Sequence, residues 1–483
     1  MNLSIFKDMA PSCGDFISVL PEFSLAVFAA LLLIVSAVSS QKRCAKVSVL
    51  AILATLVSLV LALFFADRVG EKPFGGMISA YGAFTYFAYL CAVLTGALAV
   101  RYLSKNPSNH KSEYIPVLMM ASAALSLLSR AENFVFLFVA LECFSICMYA
   151  LVSWSRKSVE CLDGSIKYMI ISGVSSAILL LGIVFIYGAS LNKFNGGDLL
   201  FFDNIRLGLS SKLFCTGLVL VFSGLLFKLA AFPFQFWVSD VYQAAPTPTS
   251  AFLAVASKAV AIFMVVKLCI AGHFNSQNVL VAVSVIASLT ILAGNIPAVL
   301  QTCTKRLMAL SGVANAGYLM LLAAAAVVNP ANYDMIMVVM FFYLVAYAFA
   351  TYSLFGIINM SNTVQDSLQN FEDYRGLFKK DKITTSALVV ALASLAGIPP
   401  TAGFFGKVLI IVVAWGAGLY IPVAVMIFGS VVSIYYYFAW MRIGFAKSYD
   451  NAENFKFTKG SALLLTILTG ATLAFGFVSI YFY

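Results

Sequence analysis

Phe227 to Ile262 reads FKLAAFPFQFWVSDVYQAAPTPTSAFLAVASKAVAI. Two apolar runs flank a proline- and threonine-containing turn, and each run carries one lysine, Lys228 or Lys258. Inserting a lysine at the centre of a membrane helix costs roughly 2.5–3.5 kcal/mol. Charges kept inside apolar spans normally face a bundle interior or a watery cavity, and they mark ion or proton pathways. Pro233 follows Lys228 by one turn and a half, and a proline inside a helix removes a backbone hydrogen bond and clashes with the preceding turn. The stretch therefore predicts an interrupted transmembrane helix, a short loop and a second transmembrane helix.

The whole chain agrees with that reading. Of its 483 residues 62% are hydrophobic and 10% charged, with a mean hydropathy of +0.97, whereas a soluble domain carries about 25% charged residues. A soluble enzyme, a disordered chain and a nucleic-acid-binding module are excluded, despite a net charge of +10. A span needs about 20 mostly apolar residues, and fourteen runs qualify. They are 23–39, 47–66, 77–100, 114–129, 134–154, 168–189 and 213–238, then 250–272, 279–299, 307–328, 335–360, 383–415, 420–441 and 461–483. The fold class is all-α, a polytopic membrane protein. The first twenty residues hold Lys7, Asp8 and Asp15 and lack a signal-peptide pattern, so no cleavage is expected. The nine cysteines form no CxxC pair, and the two histidines, His110 and His273, fall in or near loops. No metal site and no redox cofactor is expected in this chain.

Positive charge sets the orientation. Nineteen Lys and Arg fall in the odd-numbered loops, among them Lys42, Arg43, Lys111, Arg156, Lys157, Lys167, Lys305, Arg306 and Lys456. The even loops hold six: Arg68, Lys72, Arg130, Lys193, Arg206 and Lys212. The excess assigns the odd loops to the cytoplasm and both termini to the outside.

Lys228, Lys258, Lys267 and Lys407 remain inside spans, with Glu142 the one acid deep in a span and Asp240 just beyond the seventh. Lys267 lies five residues from its span end, so snorkelling suits it as well as a pathway role. Burial disfavours an ammonium and a neighbouring carboxylate restores it. A Glu142–Lys228 pair would hold a proton on Lys228 while together and loosen that hold when apart. A series of such lysines suits proton relay better than binding of a large solute. Sodium coordination would call for several carboxylates and carbonyls, and one deep acid is thin support for it.

The twelfth run, 383–415, holds Pro399 and Pro400 ahead of Lys407. As a straight helix it would reach about 50 Å, well beyond a ~30 Å core, so a break is expected there as in the seventh. Interrupted helices in corresponding halves point to a transporter site. Leu229-Ala230-x-x-Pro233 matches Leu395-Ala396-x-x-Pro399 at an offset of 166, and Ala140, Leu141 and Tyr149 match Ala309, Leu310 and Tyr318 at 169. Two five-helix repeats, the second inverted, follow from these offsets. The expected organisation is 1–113 as an N-terminal three-helix region, 114–272 and 273–445 as the repeats, and 446–483 as a C-terminal span.

These residues resemble the antiporter-like membrane subunits of respiratory complex I, the proton-pumping NADH–quinone oxidoreductase. The 227–262 stretch carries the resemblance, with VALECFSICMYALV around Glu142, GNIPAVLQTCTKRLMALSGVANAGYL, and GIPPTAGFFGKV before and through Lys407. It covers roughly Pro116 to Arg442. Among three related subunit types, one has a longer C-terminus with a lateral helix and another a glutamate at the Lys407 position; fourteen spans, Lys407 and DVYQAAPTP are most similar to the third. The resemblance implies that Glu142 and Lys228 form a paired switch, Lys258 a central relay and Lys407 an exit-side group. It further implies sister antiporter-like subunits and the lipid bilayer as partners, with NADH, FMN, iron–sulfur clusters and quinone held by other subunits. Two positions depart from the family: Gln235 and Asn315 stand where histidines are common, so water or Lys258 alone must cross that gap. Three rival functions fit a membrane chain of this kind. A subunit of a multisubunit sodium–proton antiporter shares the same motifs, a structural subunit would scaffold assembly without transport, and a solute symporter would bind an organic substrate.

Overall fold

The computed structural model describes residues 13–38, 44–65, 73–105, 112–155, 159–191, 198–274, 276–360, 366–447 and 459–480. Lys7, Asp8, Lys42, Arg43, Arg68, Lys72, His110, Lys111, Arg156, Lys157, Lys193 and Lys456 lie outside the described residues.

Among the described residues the chain is helical without strands, save three isolated bridges at Ile78–Ala131, Asn133–Phe201 and Cys303–Asn370. The apolar elements are α1 (Leu20–Val38), α2 (Cys44–Phe65), α3 (Ala83–Lys105), α4 (Tyr114–Ser129), α5 (Phe134–Val152), α6 (Val159–Ser190) and the interrupted α7. The two halves of α7 are α7a (Lys212–Leu229) and α7b (Trp237–Ala244). Next come α8 (Thr247–Gly272), α9 (Gln277–Ala298), α10 (Thr304–Val328), α11 (Tyr333–Met360), α12a (Lys382–Ala396) with α12b (Ala402–Gly416), α13 (Tyr420–Phe445) and α14 (Lys459–Ile480). Ten of the described helices are long and apolar enough to cross a membrane, and five shorter apolar ones accompany them. Each of the fourteen sequence runs has its helix, and both expected breaks are present.

Boundaries differ where a helix leaves the apolar run. The sixth begins at Val159 rather than Tyr168, because Glu160, Asp163 and Lys167 continue the same helix with solvent-exposed side chains. A helix satisfies its own backbone in oil and water alike.

The chain divides into two compact units, one of 1–148 with 178–221 and the other of 149–177 with 222–483. In the first, α1 packs against α2 and α4, and α3 packs against both. Its interior holds a buried ion pair, Arg130 to Glu22 at 3.1 Å, with both side chains 1% exposed. Arg130 also donates to the carbonyls of Ser18 and Ser79, while Glu22 accepts from Ser126 and Tyr81. Glu142 is therefore not the only deep acid: Glu22, at the edge of the first apolar run, is buried as well.

In the second unit α10 is the inner helix. Every residue from Leu307 to Val327 is buried, and α7b, α8, α9 and α12b surround it. Its many Ala and Gly residues let the neighbouring backbones approach closely, as membrane helix packing favours. Lys305, assigned to a cytoplasmic loop by charge, instead lies in the first turn of α10 and is fully buried. Its ammonium is 2.7 Å from Asp366 and donates to the Ala245 carbonyl at 3.0 Å, and Asp366 also accepts from the amide and hydroxyl of Thr247.

Candidate functional site

At the end of α7a the chain turns through Ala230, whose φ is 60°. The amide of Ala231 donates to the Leu226 carbonyl and that of Ala230 to Phe227, closing the helix end. The Phe232 amide, ahead of Pro233, finds the Thr290 hydroxyl on α9 at 3.0 Å. Lys228 thus sits in the last turn of a half-helix, where the carbonyl end of the dipole favours a cation. Its Nζ donates to Ser172 Oγ at 2.6 Å, and Tyr149 donates to the same oxygen at 2.9 Å. Aromatic rings line this place: Phe227 stacks on Trp237 at 5.4 Å, and Trp237 lies 5.2 Å from Tyr168.

Lys258 follows a π-helical turn, Leu253–Ser257, within α8. It is 4% exposed, and its Nζ has no hydrogen-bond partner among the described residues. The Tyr242 ring of α7b lies 5.7 Å away.

At Lys407 the break accounts for every loose carbonyl. A helix leaves its last four carbonyls without partners. Those of Ala393 and Ser394 are taken by the Gly397 and Ile398 amides, and those of Leu395 and Ala396 accept from Lys407 Nζ at 2.8 and 3.0 Å. Gly397, at φ 83°, supplies the left-handed turn, a conformation costly for a residue with a Cβ. A Cβ there would also meet Lys407 Cδ at 2.9 Å. The ammonium lies 5.2 Å from the Tyr318 ring, whose hydroxyl accepts from Asn295. The left-handed residues of the two breaks, Ala230 and Gly397, are 167 apart, one more than the sequence match of the prolines.

Asn315 holds the Ser311 carbonyl and accepts from Tyr343, so it is engaged on both sides. Gln235 is buried, and its Oε1 has no partner among the described residues. Tyr343, which holds Asn315, also lines a small cavity with Ala346, Tyr347, Ser394, Leu395 and Gly403, with room for about one water molecule. Tyr343, Tyr347 and Thr351 recur every four residues on α11 and so share one helix face. That polar spacing inside an apolar run is the sequence signal that could have pointed to them.

Asp240, in α7b, pairs with Arg306 at 2.9 Å and Lys167 at 3.1 Å. Lys267 is half-buried, its Nζ 5.7 Å from the Phe263 ring. Glu142 is half-buried on α5 and belongs to the other compact unit. Ser172 escapes a reading of the sequence, as do the roles of Tyr149, Tyr318 and Lys305, because each acquires its meaning only from a neighbour distant along the chain.

An all-helical bundle with lysines at two helix breaks defines a membrane protein of the ion-transporting, interrupted-helix class. A family model for the NADH:quinone oxidoreductase/Mrp antiporter transmembrane region matches residues 131–433, and the chain belongs to this family. NADH-quinone oxidoreductase subunit N 1 of Opitutus terrae is 39% identical over 466 residues, 93% of this chain and 90% of the relative. A chain of respiratory complex I from Thermus thermophilus, solved with bound aureothin, superposes with a TM-score of 0.76 at 25% identity, covering 95% of this chain and 97% of that one. A chain of the archaeal membrane-bound sulfane sulfur reductase superposes at 0.75 with 20% identity, covering 97% and 95%. The Mrp complex of Dietzia sp. gives 0.75 at 19%, covering 95% of each chain. The last two likenesses are of fold.

Proposed function

We propose that this chain is a subunit N-type, proton-translocating membrane subunit of a NADH–quinone oxidoreductase, complex I. One observation carries the reading: Lys228, Lys258 and Lys407 sit in one compact unit of apolar helices, the outer two at helix breaks. The Leu395 and Ala396 carbonyls anchor the Lys407 ammonium and the Ser172 hydroxyl anchors that of Lys228, while Lys258 Nζ has no hydrogen-bond partner among the described residues. Lys258 is therefore the least anchored of the three, and a change of charge at either end moves its proton. Glu142 acts as the switch partner of Lys228, and Asp240, Lys267, Pro233, Pro399 and Pro400 support the path.

Quinone reduction in other subunits supplies the driving charge; this chain binds no cofactor of its own. NADH, FMN, the iron–sulfur clusters and quinone belong to partner subunits. Its neighbours are sister antiporter-like subunits in a bacterial inner membrane, with both termini outside the cytoplasm and two five-helix repeats at 114–272 and 273–445. The test is the number of protons pumped per NADH oxidised by complexes carrying Lys228→Met. A reduced ratio in fully assembled complexes is expected; an unchanged ratio rejects the reading. Deleting the gene and finding loss of sodium tolerance with intact NADH-driven pumping would instead select the sodium–proton antiporter.

A further inference from the structure

The translocation reading leaves a gap between Lys258 and Lys407 in which Asn315 is already engaged. Lys258 Nζ and Tyr347 OH border that gap; among the described residues the ammonium has no hydrogen-bond partner, and the hydroxyl's one neighbouring side-chain partner is Thr351, a turn further along α11. Buried polar atoms in native proteins nearly always have a partner, protein or water. Both converge on Gly312 of α10. A Cβ at that glycine would stand 2.7 Å from Lys258 Nζ and 3.0 Å from Tyr347 OH. The ammonium and the hydroxyl therefore face one small space that exists because residue 312 has no side chain. Tyr347 also lines the cavity shared with Tyr343, Ser394 and Leu395, and the Leu395 carbonyl is one of the two that hold Lys407.

We propose that the Tyr347 hydroxyl relays protons between Lys258 and the cavity beside Leu395, with Gly312 as the positioning residue that keeps the space between ammonium and hydroxyl open. This rests on the translocation reading. In the step, an N–H bond of the Lys258 ammonium breaks and a new O–H bond forms on the Tyr347 oxygen, directly or through one water. The original phenolic O–H bond breaks as its proton passes to water in the cavity. Lysine ends as the neutral amine, tyrosine as the neutral phenol, and the positive charge has moved one step toward Lys407. Tyrosine serves here because it is amphipathic: its ring packs in the apolar interior while its hydroxyl both donates and accepts.

The test compares Tyr347→Phe, Gly312→Ala and Lys258→Met with the parent in assembled complexes in sealed membrane vesicles, reading protons pumped per NADH oxidised. Tyr347→Phe and Gly312→Ala are expected to fall to the Lys258→Met ratio, with NADH oxidation per complex preserved. A parent-like ratio in Tyr347→Phe beside a low ratio in Lys258→Met overturns the relay and leaves the translocation reading standing. A parent-like ratio in Lys258→Met overturns both. If Tyr347→Phe slows oxidation and pumping together, the tyrosine is a packing residue and the relay is refuted. Should these variants fail to assemble, a fluorinated tyrosine at position 347 keeps the volume and acidifies the phenol. The pH profile of pumping then moves to lower pH if the relay is right, and an unmoved profile overturns it.

Discussion

Lys258→Met should make the protein more stable while removing its pumping. The ammonium is 4% exposed, makes no hydrogen bond among the described residues and has the Tyr242 ring at 5.7 Å. Replacing buried ionic groups with apolar side chains of similar volume commonly stabilises by about 1–4 kcal/mol. The Tyr242 ring, at 5.7 Å, is at the outer edge of cation–π range, so its loss returns only about 0.5–1 kcal/mol of that, leaving a net gain of about 0–3.5 kcal/mol. Lys407→Met has the opposite sign. It strands the Leu395 and Ala396 carbonyls, and two unsatisfied buried acceptors at about 1–3 kcal/mol each outweigh the desolvation relieved. The assay heats the full chain in detergent with a thiol-reactive fluorogenic dye, using the buried Cys269 and Cys303 as reporters of unfolding. A higher midpoint for Lys258→Met and a lower one for Lys407→Met are expected. A lower midpoint for Lys258→Met refutes the claim that its ammonium is kept at a cost in stability, and with it the reason to see a functional charge there.

Two further outcomes follow from the charges near the α10 start and the α11–α12 connection. Asp366→Ala should cost about 3 kcal/mol, the lower end of the 3–5 kcal/mol range for breaking a buried pair, since Asp366 is 22% exposed while Lys305 is 1% exposed. Lys305→Met should cost less, because Asp366 keeps the Thr247 amide and hydroxyl; equal midpoint losses in the same thermal assay would refute the asymmetry. The hydrogen bond from Arg375, Nε to Oε2 at 2.6 Å, holds the Glu372 carboxyl below its ordinary range. Its contribution is present above the unfolded value and fades as pH falls through the lowered folded value. Because Glu372 is 62% exposed, the difference between parent and Glu372→Gln should stay within about 1 kcal/mol at neutral pH and shrink on acidification; a difference that grows in acid contradicts this sign.

The fourteen helices and the two breaks were readable along the chain because the forces that make them are local. An apolar run must satisfy its own backbone in hydrocarbon, and Pro233, Pro399 and Pro400 act on the turns beside them. The deep lysines were readable for the same reason, since one ammonium in an apolar run is conspicuous without any partner. What those lysines touch was decided by tertiary structure alone. Ser172 reaches Lys228 across 56 residues of chain, Leu395 and Ala396 reach Lys407 only when the helix folds back at Gly397, and Gly312 meets Lys258 because α8 packs on α10. Lys305 shows the limit most plainly: charge counting assigned it to a watery loop, yet Asp366 and the Ala245 carbonyl hold it fully buried. Hydropathy reports how much a segment prefers oil, whereas the partner that makes a buried charge tolerable comes from elsewhere in the chain and exists only once the helices have packed.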